Sequence, residues 1–368
     1  MRIASNIIEM IKAKADIVEV IGEYVHLTKK GQNYIGLCPF HNDSTPSLTV
    51  SSAKGIYKCF ACDASGDVIK FLQEYLNISF VEAVKMLAKK YGVEIPEDSY
   101  SSIGDEDQRK RESMFIINDY ASKYYAENLF ADTDEARKAL YYATNRWPQD
   151  FIRTFGIGYA SNSWDSFSLW ANGKGLDKDL MLELGLVKEK STNDDVYDTF
   201  RGRIMIPIRD KQHRIIAFTA RLLPDILAHD PNAPKYINSS TSLIYDKGNS
   251  LFGIDVAWNV ASKAGVMNLV EGAPDVMRLQ VIGASNTVAP LGSSWTEAQL
   301  SMLKRITDRL NIIPDSDIPK EGEHFGVGFT SAMRTGKLAL SLGFIVTIQE
   351  IPIGDWKNDP DSYLVSKD

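Results

Sequence analysis

Cysteine is scarce in this chain, with three among 368 residues. Three thiols leave one over after any pairing and nothing points to an oxidising compartment, which argues against a disulfide scaffold. No stretch approaches about eighteen consecutive apolar residues, so no segment reads as a membrane-spanning helix. The opening MRIASNIIEMIKAK is amphipathic and has no apolar run followed by a cleavage site, so it does not read as a secretory signal. A reduced, cytoplasmic protein with no membrane partner is the expectation. Positive charge is also lacking, since 41 Lys and Arg face 48 Asp and Glu for a net charge of −7. Composition therefore excludes a uniformly basic nucleic-acid binder, and any polyanion-binding face has to be local. The acidity is uneven: residues 94–150 carry 7 basic against 13 acidic side chains, whereas residues 151–255 balance at 13 and 13. The chain has no internal repeat and no low-complexity tract.

The three cysteines that do occur fall in one cluster. Cys38-Pro39-Phe40-His41 is followed, after seventeen residues, by Cys59-Phe60-Ala61-Cys62. Two close ligand pairs, each on a tight turn and separated by a loop, are what a tetrahedral zinc site requires. The competing reading is ordinary buried thiols. Four protein ligands leave no open position, so such a site folds a module and performs no chemistry. Catalysis, if any, lies downstream.

The pattern predicts a multidomain α/β chain. Residues 1–95 form the zinc module, with core stripes Val68, Ile69, Phe71, Leu72 and Phe80, Val84, Leu87, Ala88, Tyr91 at helical spacing. Residues 96–113 are polar, charged and without periodicity, and read as a linker. Residues 114–258 form a mixed α/β region, with an expected hairpin pairing Ile204–Ile208 with Ile215–Phe218. Residues 259–368 alternate strands (266–270, 287–289, 310–314, 344–351) with helices (274–282, 296–309, about 328–342). That alternation predicts a mostly parallel sheet.

In such a sheet ligands collect at the C-terminal strand ends. Glu271 and Asp275 follow one predicted strand, Asp315 and Asp317 another, and Asp359 and Asp361 a third. Converging carboxylates repel one another and become tolerable around hard divalent cations such as Mg²⁺ or Mn²⁺. Such clusters serve phosphoryl transfer. The alternative is that these are loop acids capping helix starts, as Asp275 beside Pro274 could be. Upstream, Arg201, Arg203, Arg221, Lys235, Tyr236, Asn238 and Lys247 interleave cations with an aromatic and an amide, a pattern suited to a phosphate backbone or a nucleoside triphosphate. The alternative there is a solvated face. His213 and His229 read as turn residues; His324, in a Gly- and Glu-rich loop near the acids, is a conceivable metal ligand.

Taken in order, these segments resemble the bacterial DnaG-type primases along nearly the whole chain. Asp16–Ile21, Lys30–Tyr34, Cys38–His41, Thr45–Ser47 and Cys59–Cys62 are similar to that family's zinc ribbon. Phe155–Tyr159, Phe200–Pro207, Lys235–Ser239 and Leu251–Gly253 are similar to the N-terminal part of its polymerase domain. Glu271-Gly272, Leu291-Gly292, Thr296-Glu297, Asp315-Ser316-Asp317 and Asp359-Pro360-Asp361 are similar to its Toprim fold. The resemblance implies template-directed synthesis of RNA primers on single-stranded DNA from ribonucleoside triphosphates. It implies one structural zinc on Cys38, His41, Cys59 and Cys62, and two or more catalytic Mg²⁺ or Mn²⁺ ions on Glu271, Asp275, Asp315, Asp317, Asp359 and Asp361. Glu271, Asp315 and Asp317 are the expected catalytic set. The basic segment is expected to hold nucleic acid or nucleotide, and the zinc module to engage template.

The sequence departs from the family pattern in four places. Asp63 follows Cys62 where glycine is usual, Ala273-Pro274 stands where an aromatic is usual, and residues 318–325 are inserted after Asp317. The chain also stops shortly after Asp361, without the helical region through which relatives bind the replicative helicase, as expected either of a truncated piece of a longer primase or of a shortened primase such as a phage or mobile element carries. Two other readings compete: a Toprim nuclease using the same metals, and a non-catalytic zinc-ribbon DNA-binding protein.

Overall fold

The computed structural model describes residues 5–41, 43, 45–76, 78, 80–94, 102–190, 195–292, 294–319, 324–352 and 359–365. The chain folds as two compact units, Met1–Arg109 and Lys110–Asp368.

The first unit opens with helices α1 (Ser5–Lys14) and α2 (Ile17–Gly22), the second started by Asp16, whose carboxylate accepts from Val18 N at 2.8 Å. A five-stranded antiparallel meander follows: β1 (Thr28–Lys30), β2 (Asn33–Gly36), β3 (Leu48–Ser51), β4 (Ile56–Cys59) and β5 (Ser65–Gly66). In β3, Leu48 and Val50 are buried while Thr49 and Ser51 are less so, the two-residue period of a one-sided sheet. Helices α3 (Val68–Leu76) and α4 (Phe80–Lys90) complete the unit. Their predicted stripes are its core: Phe71 meets Tyr57 edge-on, with ring centroids 5.5 Å apart.

The boundary between the two units falls within the expected linker, but that stretch is not irregular. Helix α5 (Ser102–Leu129) is continuous through residues 102–113, and residues 96–101 lie outside the described residues. Gln108 to Glu112 are good helix formers, and they extend a helix whose Met114, Ile117, Ala121 and Tyr125 are buried. Adding a turn to an anchored helix costs little, so high charge alone does not end one.

Next come α6 (Asp134–Thr144), α7 (Gln149–Phe155), β6 (Gly158–Ala160), α8 (Ser166–Gly173), α9 (Lys178–Glu183), β7 (Val187–Glu189), β8 (Val196–Asp198), β9 (Arg203–Arg209), β10 (Ile215–Leu222), α10 (Pro224–His229) and β11 (Tyr236–Asn238). One antiparallel sheet has the order β11-β10-β9-β6, and β7 pairs with β8 apart from it. The predicted hairpin is β9–β10, with His213 at φ 63° in its turn.

The remainder is β12 (Leu251–Phe252), α11 (Ile254–Ala264), β13 (Met267–Leu269), α12 (Ala273–Val281), β14 (Thr287–Pro290), α13 (Glu297–Lys304), β15 (Arg309–Ile312), α14 (Val327–Ser341), β16 (Ile345–Ile348) and α15 (Pro360–Val365). The sheet order is β12-β14-β13-β15-β16. Strands β14, β13, β15 and β16 are parallel, as the alternation predicts, and β12 is an antiparallel edge. Every residue of β14 is buried, as expected of a strand covered on both faces. Among the described residues no helix is long and apolar enough to cross a membrane.

Candidate active site and zinc centre

In the first unit the ends of β2 and β4 bring the two ligand pairs together. The ligand atoms of Cys38, His41, Cys59 and Cys62 all lie within 4.8 Å of one another. Cys38 Sγ stands 3.8 Å from Cys62 Sγ, and Cys59 Sγ stands 3.9 Å from His41 Nδ1. Ligands about 2.0–2.3 Å from a zinc ion at tetrahedral angles are separated by this much, so the residues fit the metal. The Ala61 and Cys62 amides donate to Cys59 Sγ at 3.3 and 3.4 Å, and Ser47 Oγ lies 3.2 Å from it. Burial alone would raise the Cys59 thiol, but these contacts, led by Ser47, outweigh it and favour the thiolate. Burial dominates at Cys38 and pushes its thiol up.

Sequence reasoning missed Asp43. Its Oδ2 accepts from Cys38 N at 2.7 Å and from Ser47 Oγ at 2.6 Å, while its Oδ1 lies 3.6 Å from His41 Nε2. With Nδ1 toward the sulfurs and Nε2 toward a carboxylate, the imidazole is held in a metal-binding orientation. Asp43's position between the ligand pairs, two residues after His41, was the available signal. The departure at Asp63 also has a physical reason. Its φ is 58°, a left-handed conformation for which glycine is the default and which aspartate tolerates.

In the second unit the central parallel strands β13 and β15 are neighbours, and their C-terminal ends carry Glu271 and Asp315. Glu271 Oε1 accepts from Asp315 N at 3.2 Å. Asp317 Oδ2 accepts from Gly328 N, in the first turn of α14, at 2.8 Å. The structure thus brings three of the predicted acids to one strand-end crevice. Asp275 sits in the first turn of α12 after Pro274, where its Oδ2 accepts from Gly272 N at 3.2 Å and its Oδ1 from Asp361 N at 3.1 Å. Burial holds the Asp275 carboxyl well above its ordinary range, and the charges of Asp315, Asp359 and Glu271 push the same way. Helix capping and membership of an acidic cluster are therefore both true of Asp275. Asp359 is half-buried, and its Oδ1 caps α15 by accepting from Ser362 N at 2.6 Å.

Asp361 is a correction. It is 1% exposed, with one carboxylate oxygen bonded to Arg146 and the other to Arg278 Nε at 3.1 Å. A carboxylate enclosed by two guanidinium groups has both oxygens committed, so it is not available to a metal ion. Arg146, just ahead of Trp147-Pro148, was not singled out from sequence, and nothing local distinguishes it.

The basic segment also divides. Arg203 is 6% exposed; its guanidinium donates to the carbonyls of Pro234 (2.9 Å), Lys235 and Ala220 (both 3.4 Å). Burial, and then neighbouring Arg201, push its pKa down to about 10. This corrects its assignment as a nucleic-acid contact: Arg203 holds the loop before β11. Asn238 is likewise committed, donating through Nδ2 to Leu291 O at 3.0 Å and so tying β11 to the residue after β14. Arg201 instead stacks on Trp164, its guanidinium carbon 3.9 Å from a ring centroid, and donates to Asp198 O. Arg221 donates to Tyr236 Oη at 2.7 Å and lies over Tyr142, the tyrosine whose Oη accepts from Arg146. That run of contacts leads from β11 to Asp361 and so to Asp275. Lys235 is exposed; Lys247 is half-buried, and its carbonyl accepts from Gln299 Nε2 at 3.0 Å.

Residues 3–102 match the CHC2 zinc finger family, and residues 124–258 match the N-terminal domain of the DNA primase catalytic core. The zinc-binding and RNA polymerase domains of the Aquifex aeolicus primase superpose with a TM-score of 0.60 at 34% identity, covering 98% of this chain and 82% of that one. The chain belongs to the DnaG family of bacterial DNA primases. The DNA primases of Clostridium acetobutylicum and Halalkalibacterium halodurans are each 36% identical to this DnaG-family chain over 364 residues. It spans 57% of the length of each of those curated relatives. A DnaG catalytic domain solved bound to single-stranded DNA has a TM-score of 0.59 at 28% identity, covering 71% of this chain and 78% of that one. Cys38, His41, Cys59 and Cys62 are thus a structural zinc site.

Proposed function

We propose that this chain synthesises short RNA primers on single-stranded DNA by metal-dependent nucleotidyl transfer. The observation that carries the reading is the meeting of Glu271 and Asp315 at adjacent parallel strand ends. Glu271, Asp275, Asp315, Asp317 and Asp359 would hold divalent cations, Mg²⁺ or Mn²⁺, whose chemistry is to neutralise phosphate oxygens during in-line displacement. The mutual repulsion felt at Asp275 fits a site that takes up positive charge. The chain's own contribution is rigidity. The Gly328 amide orients Asp317, the Gly272 and Asp361 amides fix Asp275, and the Asp315 amide holds Glu271. Ligands locked in this way need little reordering before reaction.

Arg201, Arg221, Lys235, Tyr236 and Lys247 would face nucleic acid or incoming ribonucleotide, and the relative solved with single-stranded DNA supports that partner. The zinc unit would engage the template. Incubation with single-stranded DNA, labelled ribonucleotides and Mg²⁺ tests the proposal. RNA products that vanish in Asp315→Ala support it, whereas shortened DNA with no RNA overturns it in favour of a nuclease.

A further inference from the structure

Pro319, His324, Phe325 and Gly326, ahead of α14, border a cavity of about 230 Å³. Asp315, Ser316 and Asp317 line it together with Phe325 and Phe329. The two phenyl rings stack, with centroids 4.7 Å apart and planes 26° from parallel, and Phe325 is 56% exposed. An exposed aromatic already held flat against a second one is a preformed surface, so a ligand ring that lands on it spends little in ordering side chains. Ser316 is 8% exposed, and its Oγ is buried with no hydrogen-bond partner among the described residues, a polar group left for a ligand to satisfy. The volume is below the roughly 300–1,000 Å³ that encloses a whole drug-sized ligand. It suits a planar heterocycle whose remaining atoms extend outward. Asp315 and Asp317 line the same cavity as the two rings.

We infer that Phe325, backed by Phe329, is the stacking platform for the base of a ribonucleoside triphosphate, with Ser316 Oγ bonding its polar edge and the triphosphate directed to the Asp315–Asp317 side. This rests on the nucleotidyl-transfer reading and adds a base-binding subsite made by Ser316, Phe325 and Phe329.

The test compares Phe325→Ala and Phe325→Trp with the unaltered chain, using ATP and inorganic tripolyphosphate as separate probes in Mn²⁺ buffer, together with steady-state primer synthesis. Phe325 is exposed, so neither substitution removes a core contact. The expected result for Phe325→Ala is about tenfold weaker ATP binding and a KM for ATP raised by a similar factor, the size of one lost base–aromatic stack. Its kcat stays within about twofold, its tripolyphosphate binding is unchanged, and Phe325→Trp retains full ATP affinity. Equal ATP affinity in Phe325→Ala and the unaltered chain overturns the inference. So does a loss confined to a single-stranded oligodeoxynucleotide, since the platform would then serve a strand. Absence of primers from the unaltered chain would defeat the polymerase reading, and the ATP titration would still decide on the platform.

Discussion

A β-carbon on Gly328 would stand 2.9 Å from Glu271 Oε1 and 2.4 Å from the carbonyl oxygen of Asp315. Helix α14 therefore starts pressed against the acids on two strands, and only glycine permits that approach. Gly328→Ala is expected to push α14 away from Glu271 and lower primer synthesis by at least about a hundredfold, on the scale of a small misplacement of catalytic groups. The zinc unit is untouched by the change, so zinc content should be normal. Near-normal turnover in this variant would mean that the close packing is not needed for activity.

Asp43 should act on the metal through His41 and the Cys38 amide. Asp43→Asn is expected to weaken zinc binding by about ten- to a hundredfold in a competition with a chromogenic chelator. Asp63→Gly, which satisfies the same left-handed backbone with another residue, should leave zinc affinity unchanged. An Asp43→Asn protein that holds zinc as tightly as the unaltered chain would show that the imidazole needs no orienting carboxylate.

Arg201 and Arg203 stand two residues apart and should behave differently. Arg203→Ala removes a buried guanidinium that bonds three carbonyls, of which that of Lys235 keeps Leu222 N as a donor. It should cost about 1–3 kcal/mol of stability, read as a lower urea midpoint. Arg201→Ala gives up the stack on Trp164 and the bond to Asp198 O, so it should lower the midpoint less than Arg203→Ala does. It should also weaken single-stranded DNA binding, with the slope of log K against log salt shallower by about 0.7. An unchanged salt slope would remove Arg201 from the phosphate contacts.

Removing one partner of a buried ion pair exposes its cost. Asp361→Ala takes the carboxylate from Arg146 and Arg278, leaving neutral partners such as Tyr142 Oη and Arg146 O, and is expected to cost about 3–5 kcal/mol in unfolding free energy. Asp361→Ala combined with Arg278→Met should recover part of that loss. If stability holds and Mn²⁺ affinity falls instead, Asp361 is a metal ligand after all.

What could be read in advance followed periodicity and spacing. The parallel series β13 to β16 and the zinc ligands were legible because a buried strand, an amphipathic helix and a ligand pair are each local patterns. Arg203 was misread because β9 is buried on both faces from Arg203 through Ile208, so no alternation marks an inward-pointing charge. Asp361 was misread because the arginine that claims one of its oxygens lies 215 residues away. Strand β12 has two residues, too few to show any period, and its place at the antiparallel edge is set by Pro290 and Ala289 of β14. The early turns of α5 carry no apolar stripe, and their helicity comes from the packed residues that follow.

The bond from Asn238 to Leu291 latches the antiparallel sheet to the parallel one beside the strand end that precedes Glu271. That bond ties β11 to the residue after β14, next door to the strand that leads into Glu271. Under the proposed function, a template held on β11 would keep a constant offset from the acids and would have to slide as each nucleotide is added.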